Sequence, residues 1–96
     1  MSHEYRDRIF IRKDILLALT EVGELNQTSL LSRCGLNIVA HKDIFEDLER
    51  KGFINRTEEP WGSKKIVKYN ITDKGIHVLK NVLDPYEELF PRKKRE

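Results

Sequence analysis

Asn37, Ala40, His41 and Lys42 lie within six positions of one another, and their types suit the edges of nucleic-acid bases. An asparagine amide can pair bidentately with adenine, and a lysine ammonium can reach guanine or a phosphate. Further along come Arg56, Trp61, Lys64, Lys65 and Lys68. Cations on a projecting hairpin can grip phosphates, and a tryptophan at its tip can lie along sugars or in a minor groove. Each residue also has a plainer reading. Asn37 can serve only as a helix cap, His41 can simply pack, the lysines can be solvated, and Trp61 can fold back on the domain. The tail Arg92-Lys-Lys-Arg95 is a short basic cluster that either adds nonspecific affinity for nucleic acid or only solubilises the end of the chain.

Other kinds of chemistry find no matching pattern. Cys34 is the only cysteine, so neither an internal disulfide nor a multi-cysteine zinc site can form. It falls on the inward stripe of a short helix and reads as a small core residue, with a redox-sensing thiol as the alternative. His3, His41 and His77 lack the spacing of a metal site. There is no glycine-rich phosphate loop and no nucleophile with an evident base. The expectation is a binding protein and not an enzyme, without cofactor, metal or small-molecule ligand.

The first group of residues needs a helix to carry it. Asn37 is a good N-cap, and Ile38, Ala40 or His41, Ile44, Phe45 and Leu48 recur at helical spacing, opposite a charged face. Arg50 and Lys51 suit the last turn, and Gly52 the left-handed position after it. Ahead of this helix, a first one runs from about Tyr5 or Arg8 to Val22, its core stripe formed by Ile11, Ile15, Leu16, Leu19 and Val22. Ile9, Phe10 and Leu17 fall partly off that stripe. A second, short helix, capped by Asn26 or Thr28, runs through Arg33 with Leu30, Leu31 and Cys34 inward; Gly35 makes the turn and Leu36 plugs it. Two helices joined by a glycine-containing turn form a helix-turn-helix pattern.

The second group needs a hairpin. Phe53 to Glu58 reads as one strand, Glu59 to Lys64 as turn chemistry, and Lys65 to Ile71 as a second strand with Val67, Tyr69 and Ile71 on one face. Thr72 caps a last helix from Asp73 to Leu83, with Ile76, Leu79, Val82 and Leu83 inward. Gly75, lacking a side chain, lets this helix approach the sheet closely. Asp84-Pro85 interrupts the helix, and Tyr86 to Phe90 form a further turn.

Ninety-six residues suffice for a single domain, here 1–96, with flexible ends at about 1–5 and 91–96. With 39% apolar and 35% charged residues the chain is globular with a heavily charged surface. No apolar run is long enough for a membrane and the polar start is no signal peptide, so a cytoplasmic location is expected. The net charge of +2 permits nucleic-acid binding without demanding it.

The order helix, helix, helix, strand, strand, helix resembles the winged helix-turn-helix transcriptional regulators of prokaryotes, MarR- and PadR-like in broad pattern, and especially small DNA-binding proteins of archaea. The segments that carry the likeness are Gly35-Leu-Asn37, Leu48-Glu-Arg-Lys-Gly-Phe-Ile54 and Tyr69-Asn-Ile-Thr-Asp-Lys-Gly75. The last is similar to the family's Tyr-x-Ile/Leu-Thr-x-x-Gly lead into its final helix. The resemblance implies an α+β, mostly α, winged helix: a three-helix core, a two-stranded β wing and a C-terminal helix. Pro85 departs from those archaeal relatives whose last helix extends into a long dimerising coiled coil.

The expectation that follows is a regulator binding double-stranded DNA. The helix at 37–51 would enter the major groove N-terminus first through Asn37, Ala40, His41 and Lys42. The wing at 53–71 would hold the backbone through Arg56, Trp61, Lys64, Lys65 and Lys68. A homodimer would form through surplus apolar surface at Ile9, Phe10, Leu17, Val82, Leu89 and Phe90, unless the C-terminal segment folds back over the first helix of its own chain. The alternative function is a protein–protein interaction module in a transcription or other assembly. It is favoured by Asp43, Glu46, Asp47 and Glu49, which outnumber the cations of the third helix.

Overall fold

A computed structural model describes residues 8–91. The predicted flexible end at 1–5, and all but Pro91 of that at 91–96, lie outside the described residues, as does the basic cluster Arg92 to Arg95. The chain forms α1 (Arg8–Val22), β1 (Glu24–Asn26), α2 (Gln27–Cys34), α3 (Ile38–Arg50), β2 (Ile54–Trp61), β3 (Lys64–Ile71) and α4 (Asp73–Val78). A π-helical segment, Leu79–Leu83, then leads into α5 (Asp84–Leu89).

The core sits where α1, α2 and α3 meet one face of the sheet. Ile15, Leu16, Leu19, Leu30 and Ile44 are fully buried there, joined by Leu48 and Ile54. Tyr69 brings β3 into this core, its ring 5.3 Å from that of Phe45. The sheet is antiparallel with strand order β1-β3-β2, so it has three strands where two were expected. The extra strand is Glu24–Asn26, which pairs with Lys68 to Asn70 of β3. Three residues are too few to show a period, and such a strand is held by backbone bonds to a remote partner.

The predicted caps form. Asn26 Oδ1 accepts the Ser29 N–H at 2.8 Å, and Asn37 Oδ1 accepts those of Val39 and Ala40 at 2.7 and 3.3 Å. Gly52, at φ +81°, reverses the chain after α3, and the Phe53 N–H returns to the Leu48 carbonyl at 3.0 Å. Thr72 ties this corner to α4: its hydroxyl accepts the Gly75 N–H at 3.0 Å and lies 2.6 Å from the Gly52 carbonyl. A Cβ on Gly75 would come within 2.2 Å of the Phe53 carbonyl oxygen, so the close approach of helix to sheet requires glycine.

Two expectations about the second half need correction. The hairpin turn is only Gly62 and Ser63, and both strands run on to Trp61 and Lys64. Pro60 fits because β2 is an edge strand. Nor does Pro85 break the helix. The chain widens ahead of it, and the Asp84 N–H bonds to the Leu79 carbonyl, five residues back. Widening lets the helix absorb a residue that lacks an N–H and crowds the preceding turn. The segment beyond Pro85 therefore continues in the helical direction and lies on α1. Lys13 pairs with Glu87 at 2.7 Å and Asp84 at 3.1 Å, and the Phe10 ring meets that of Tyr86 edge-on at 5.8 Å. Burial pulls the Lys13 pKa down, but the two carboxylates outweigh it and raise the value overall.

Candidate nucleic-acid interface

The leading turn of α3 is the most open part of that helix. Asn37, Val39, Ala40 and Lys42 are exposed and His41 is half-buried, while Ile44, Phe45 and Leu48 anchor the rest in the core. The hydrogen bonds of this turn restrict what its polar groups can do. The Oδ1 of Asn37 is committed to the cap, leaving only the amide Nδ2 for an outside partner. The His41 Nδ1 lies 3.1 Å from the Asn37 backbone nitrogen and 2.9 Å from its carbonyl oxygen, so one ring nitrogen is taken locally whichever tautomer is present. Lys42 lies 3.9 Å from Glu46, a loose pair on the exposed face.

The acidic half of α3 is arranged differently from what charge counting suggests. Asp43 pairs with Arg8 of α1. Asp47 is buried and receives Arg12 of α1 at 2.9 Å, Arg50 at 2.8 Å and Lys51 at 3.0 Å. Hydrogen bonds from Arg12 and Lys51 hold its pKa down to about 2 against the opposing effect of burial. These aspartates point to the first helix and are neutralised there. Glu46 and Glu49 remain exposed farther down α3.

In the wing, strand alternation divides the predicted cations between two faces. The pairs Trp61↔Lys64 and Thr57↔Lys68 share the outer face. Arg56↔Tyr69 and Pro60↔Lys65 lie on the face that continues into the core. Trp61 does not fold back and is 69% exposed. The wing also supplies its own counter-ions. Glu58 binds Arg56 at 2.6 Å and Lys65 at 3.6 Å, and Glu59 binds Lys68 at 3.1 Å. Arg56 is the main cause of the lowered Glu58 pKa, and Lys65 adds to it. Among the described residues Lys64 forms no ion pair. Lys42, Glu46 and Glu49 of α3 and Arg56 of β2 line one open cleft of about 350 Å³ together with Phe45 and Tyr69, so the helix and the wing root present two cations and two carboxylates to the same side.

Sequence reasoning passed over Val39. It is 88% exposed on the second residue of α3, off the apolar stripe that marks the core, and that mismatch was the available signal. The predicted dimer residues divide as well. Phe10 is only 7% exposed and belongs to the interior of its own chain, and Ile9 packs against the core. Leu17, Val82, Leu89 and Phe90 remain at the surface, with Phe90 against Tyr86 at 5.2 Å. Cys34 is half-buried, its sulfur 3.5 Å from the Asp14 carbonyl oxygen.

A helix-turn-helix whose second helix is open at its leading turn, beside a projecting two-stranded hairpin, defines a winged helix. The family description "winged helix-turn-helix" matches residues 5–89, and the chain belongs to that family. A search of curated proteins finds no match. Among solved structures, the PcaV transcriptional regulator from Streptomyces coelicolor with its natural ligand superimposes with a TM-score of 0.68 at 21% identity, covering 93% of this chain and 62% of that one. Overoxidized AbfR bound to DNA gives 0.68 at 18% identity, over 85% of this chain and 60% of that one. ZitR of Lactococcus lactis, a zinc-responsive MarR family member, gives 0.62 at 16% identity, over 98% and 67%. The chain thus spans about three fifths of the length of the first two. No helix among the described residues is long and apolar enough to cross a membrane.

Proposed function

We propose that this protein is a cytoplasmic transcriptional regulator that binds double-stranded DNA. The leading turn of α3 enters the major groove, and the wing lies on the flanking phosphates. The observation that carries this reading is the orientation of the α3 aspartates. Asp43 and Asp47 are turned onto Arg8 and Arg12 of α1, which compensates two of the four α3 carboxylates that argue against DNA, while Glu46 and Glu49 stay exposed farther down the helix. The structural likeness to AbfR bound to DNA supports the same reading. Fluorescence anisotropy with random duplex at low salt tests it: binding at micromolar protein is expected, weakening steeply as salt rises. Absence of binding there would favour a protein partner instead.

The same reading includes a homodimer, because one recognition helix reads only a few base pairs and paired helices match half-sites about one DNA turn apart. The C-terminal segment does fold back on α1 of its own chain, through Lys13–Glu87 and Phe10–Tyr86, but it leaves Val82, Leu89 and Phe90, with Leu17, exposed as the apolar surface for a dimer. Sedimentation equilibrium should find a dimer at tens of micromolar. Leu89→Glu with Phe90→Glu should return a folded monomer with weaker DNA binding. Phe10→Glu should instead unfold the chain, because Phe10 is interior.

A further inference from the structure

We infer that Val39, with Lys42 beside it, reads a thymine in the DNA target by packing against the C5-methyl group of that base. This rests on the DNA-binding reading above and specifies what the leading turn of α3 recognises.

The inference comes from what the turn leaves available. Bidentate pairing of Asn37 with adenine needs both its amide oxygen and its amide nitrogen. The oxygen is already held by the Val39 and Ala40 N–H groups. His41 has one ring nitrogen engaged on the Asn37 backbone. The foremost side chain without such a commitment is apolar: Val39, 88% exposed. An exposed valine gains nothing for the helix, since β-branched residues are poor helix formers and its surface is left in water. In a major groove the apolar feature it can meet is a methyl on pyrimidine C5.

Thymine and 5-methylcytosine both present that methyl, and the neighbour distinguishes them. Lys42 stands three residues on, hence on the same helix face. Its ammonium only donates, which suits the O4 acceptor of thymine and opposes the N4 amino group of 5-methylcytosine. The nearby carboxylate of Asp43 is compensated by Arg8, and Glu46 is 3.9 Å from the ammonium.

The test uses the full chain and duplexes recovered by selection from a randomised library. Each thymine in the recovered site is replaced in turn by uracil, which removes only the methyl. At one thymine per half-site, binding should weaken about three- to fivefold, as expected for losing burial of one methyl-sized group. In Val39→Ala the same replacement should have little effect. Cytosine at that position should bind more weakly than thymine, and 5-methylcytosine should recover only part of the loss. Val39 is exposed and alanine is the better helix former, so circular dichroism melts of the variant should fall no lower than the parent's. If no uracil replacement matters, if Val39→Ala keeps the parent's thymine-to-uracil ratio, or if 5-methylcytosine matches thymine, the inference is wrong while DNA binding stands. If selection recovers no duplex, the DNA-binding reading itself fails.

Discussion

The third helix and the wing are adjacent, and both are rich in charge, yet they are held in opposite ways. Behind its open leading turn, the α3 helix is anchored. Ile44, Phe45 and Leu48 are in the core, and Asp43 and Asp47 are tied to α1. Beyond Ile54, the β2 strand has no buried residue, and Arg56, Lys65 and Lys68 pair with Glu58 and Glu59 within the hairpin. The aspartates of α3 therefore bear on the fold, whereas a charge on the wing is free to bear on a partner. The contrast is clearest for the carboxylates. Asp47 joins two helices, while Glu58 and Glu59 only offset cations of their own hairpin.

The comparison can be broken by substitution. The largest effect is expected at Leu48, 1% exposed where α3 meets the sheet. Leu48→Ala should cost about 2–5 kcal/mol in chemical denaturation, the range for truncating a buried leucine. An unchanged midpoint would mean that α3 is not anchored as described. Gly75→Ala comes next, at about 1–3 kcal/mol or more, because the new methyl meets the Phe53 carbonyl rather than a side chain that can move aside. A neutral result would show that α4 can shift away from the corner at little cost.

Asp47→Asn should cost about 1–2 kcal/mol near neutral pH, a value kept low because solvent screens Arg50 and Lys51. The folded pKa of about 2 lies below the ordinary 3.8. The stabilisation is thus complete above about pH 5 and is lost as pH falls through the ordinary value towards the folded one. Melts of parent and variant should converge in acid, and a gap that stays constant with pH would assign the loss to packing.

The wing should respond in the reverse sense. Lys64→Gln with Lys65→Gln should change stability by less than about 0.5 kcal/mol. It should flatten the slope of log affinity against log salt by about one for each phosphate that is no longer neutralised. The smallest effect sharpens the comparison further. Glu58→Gln with Glu59→Gln should tighten DNA binding modestly by freeing Arg56, Lys65 and Lys68. Weaker binding in that variant would mean that the glutamates position the cations instead of competing for them.

Local signals were sufficient for much of this molecule. Asn37, Gly35, Gly52 and Thr72 act on backbone within a few residues of themselves, so the ends of α2, α3 and α4 were legible along the chain. The apolar repeat of α3 was legible for the same reason, since one face of a helix has to be buried. The Tyr69 to Gly75 motif also carried its own explanation. Its tyrosine enters the core, its threonine caps a helix, and its glycine admits the Phe53 carbonyl.

What tertiary structure decided was pairing across long separations. Glu24–Asn26 became a strand only because β3 offered an unpaired edge. Pro85 became part of a widened helix rather than a break because Lys13 and Phe10 of α1 hold the segment beyond it. The aspartates of α3 became part of the fold because Arg8 and Arg12 face them from 35 residues away. Composition by itself records how many charges a helix carries. Their direction depends on which element packs alongside, and that is settled only when the chain has folded.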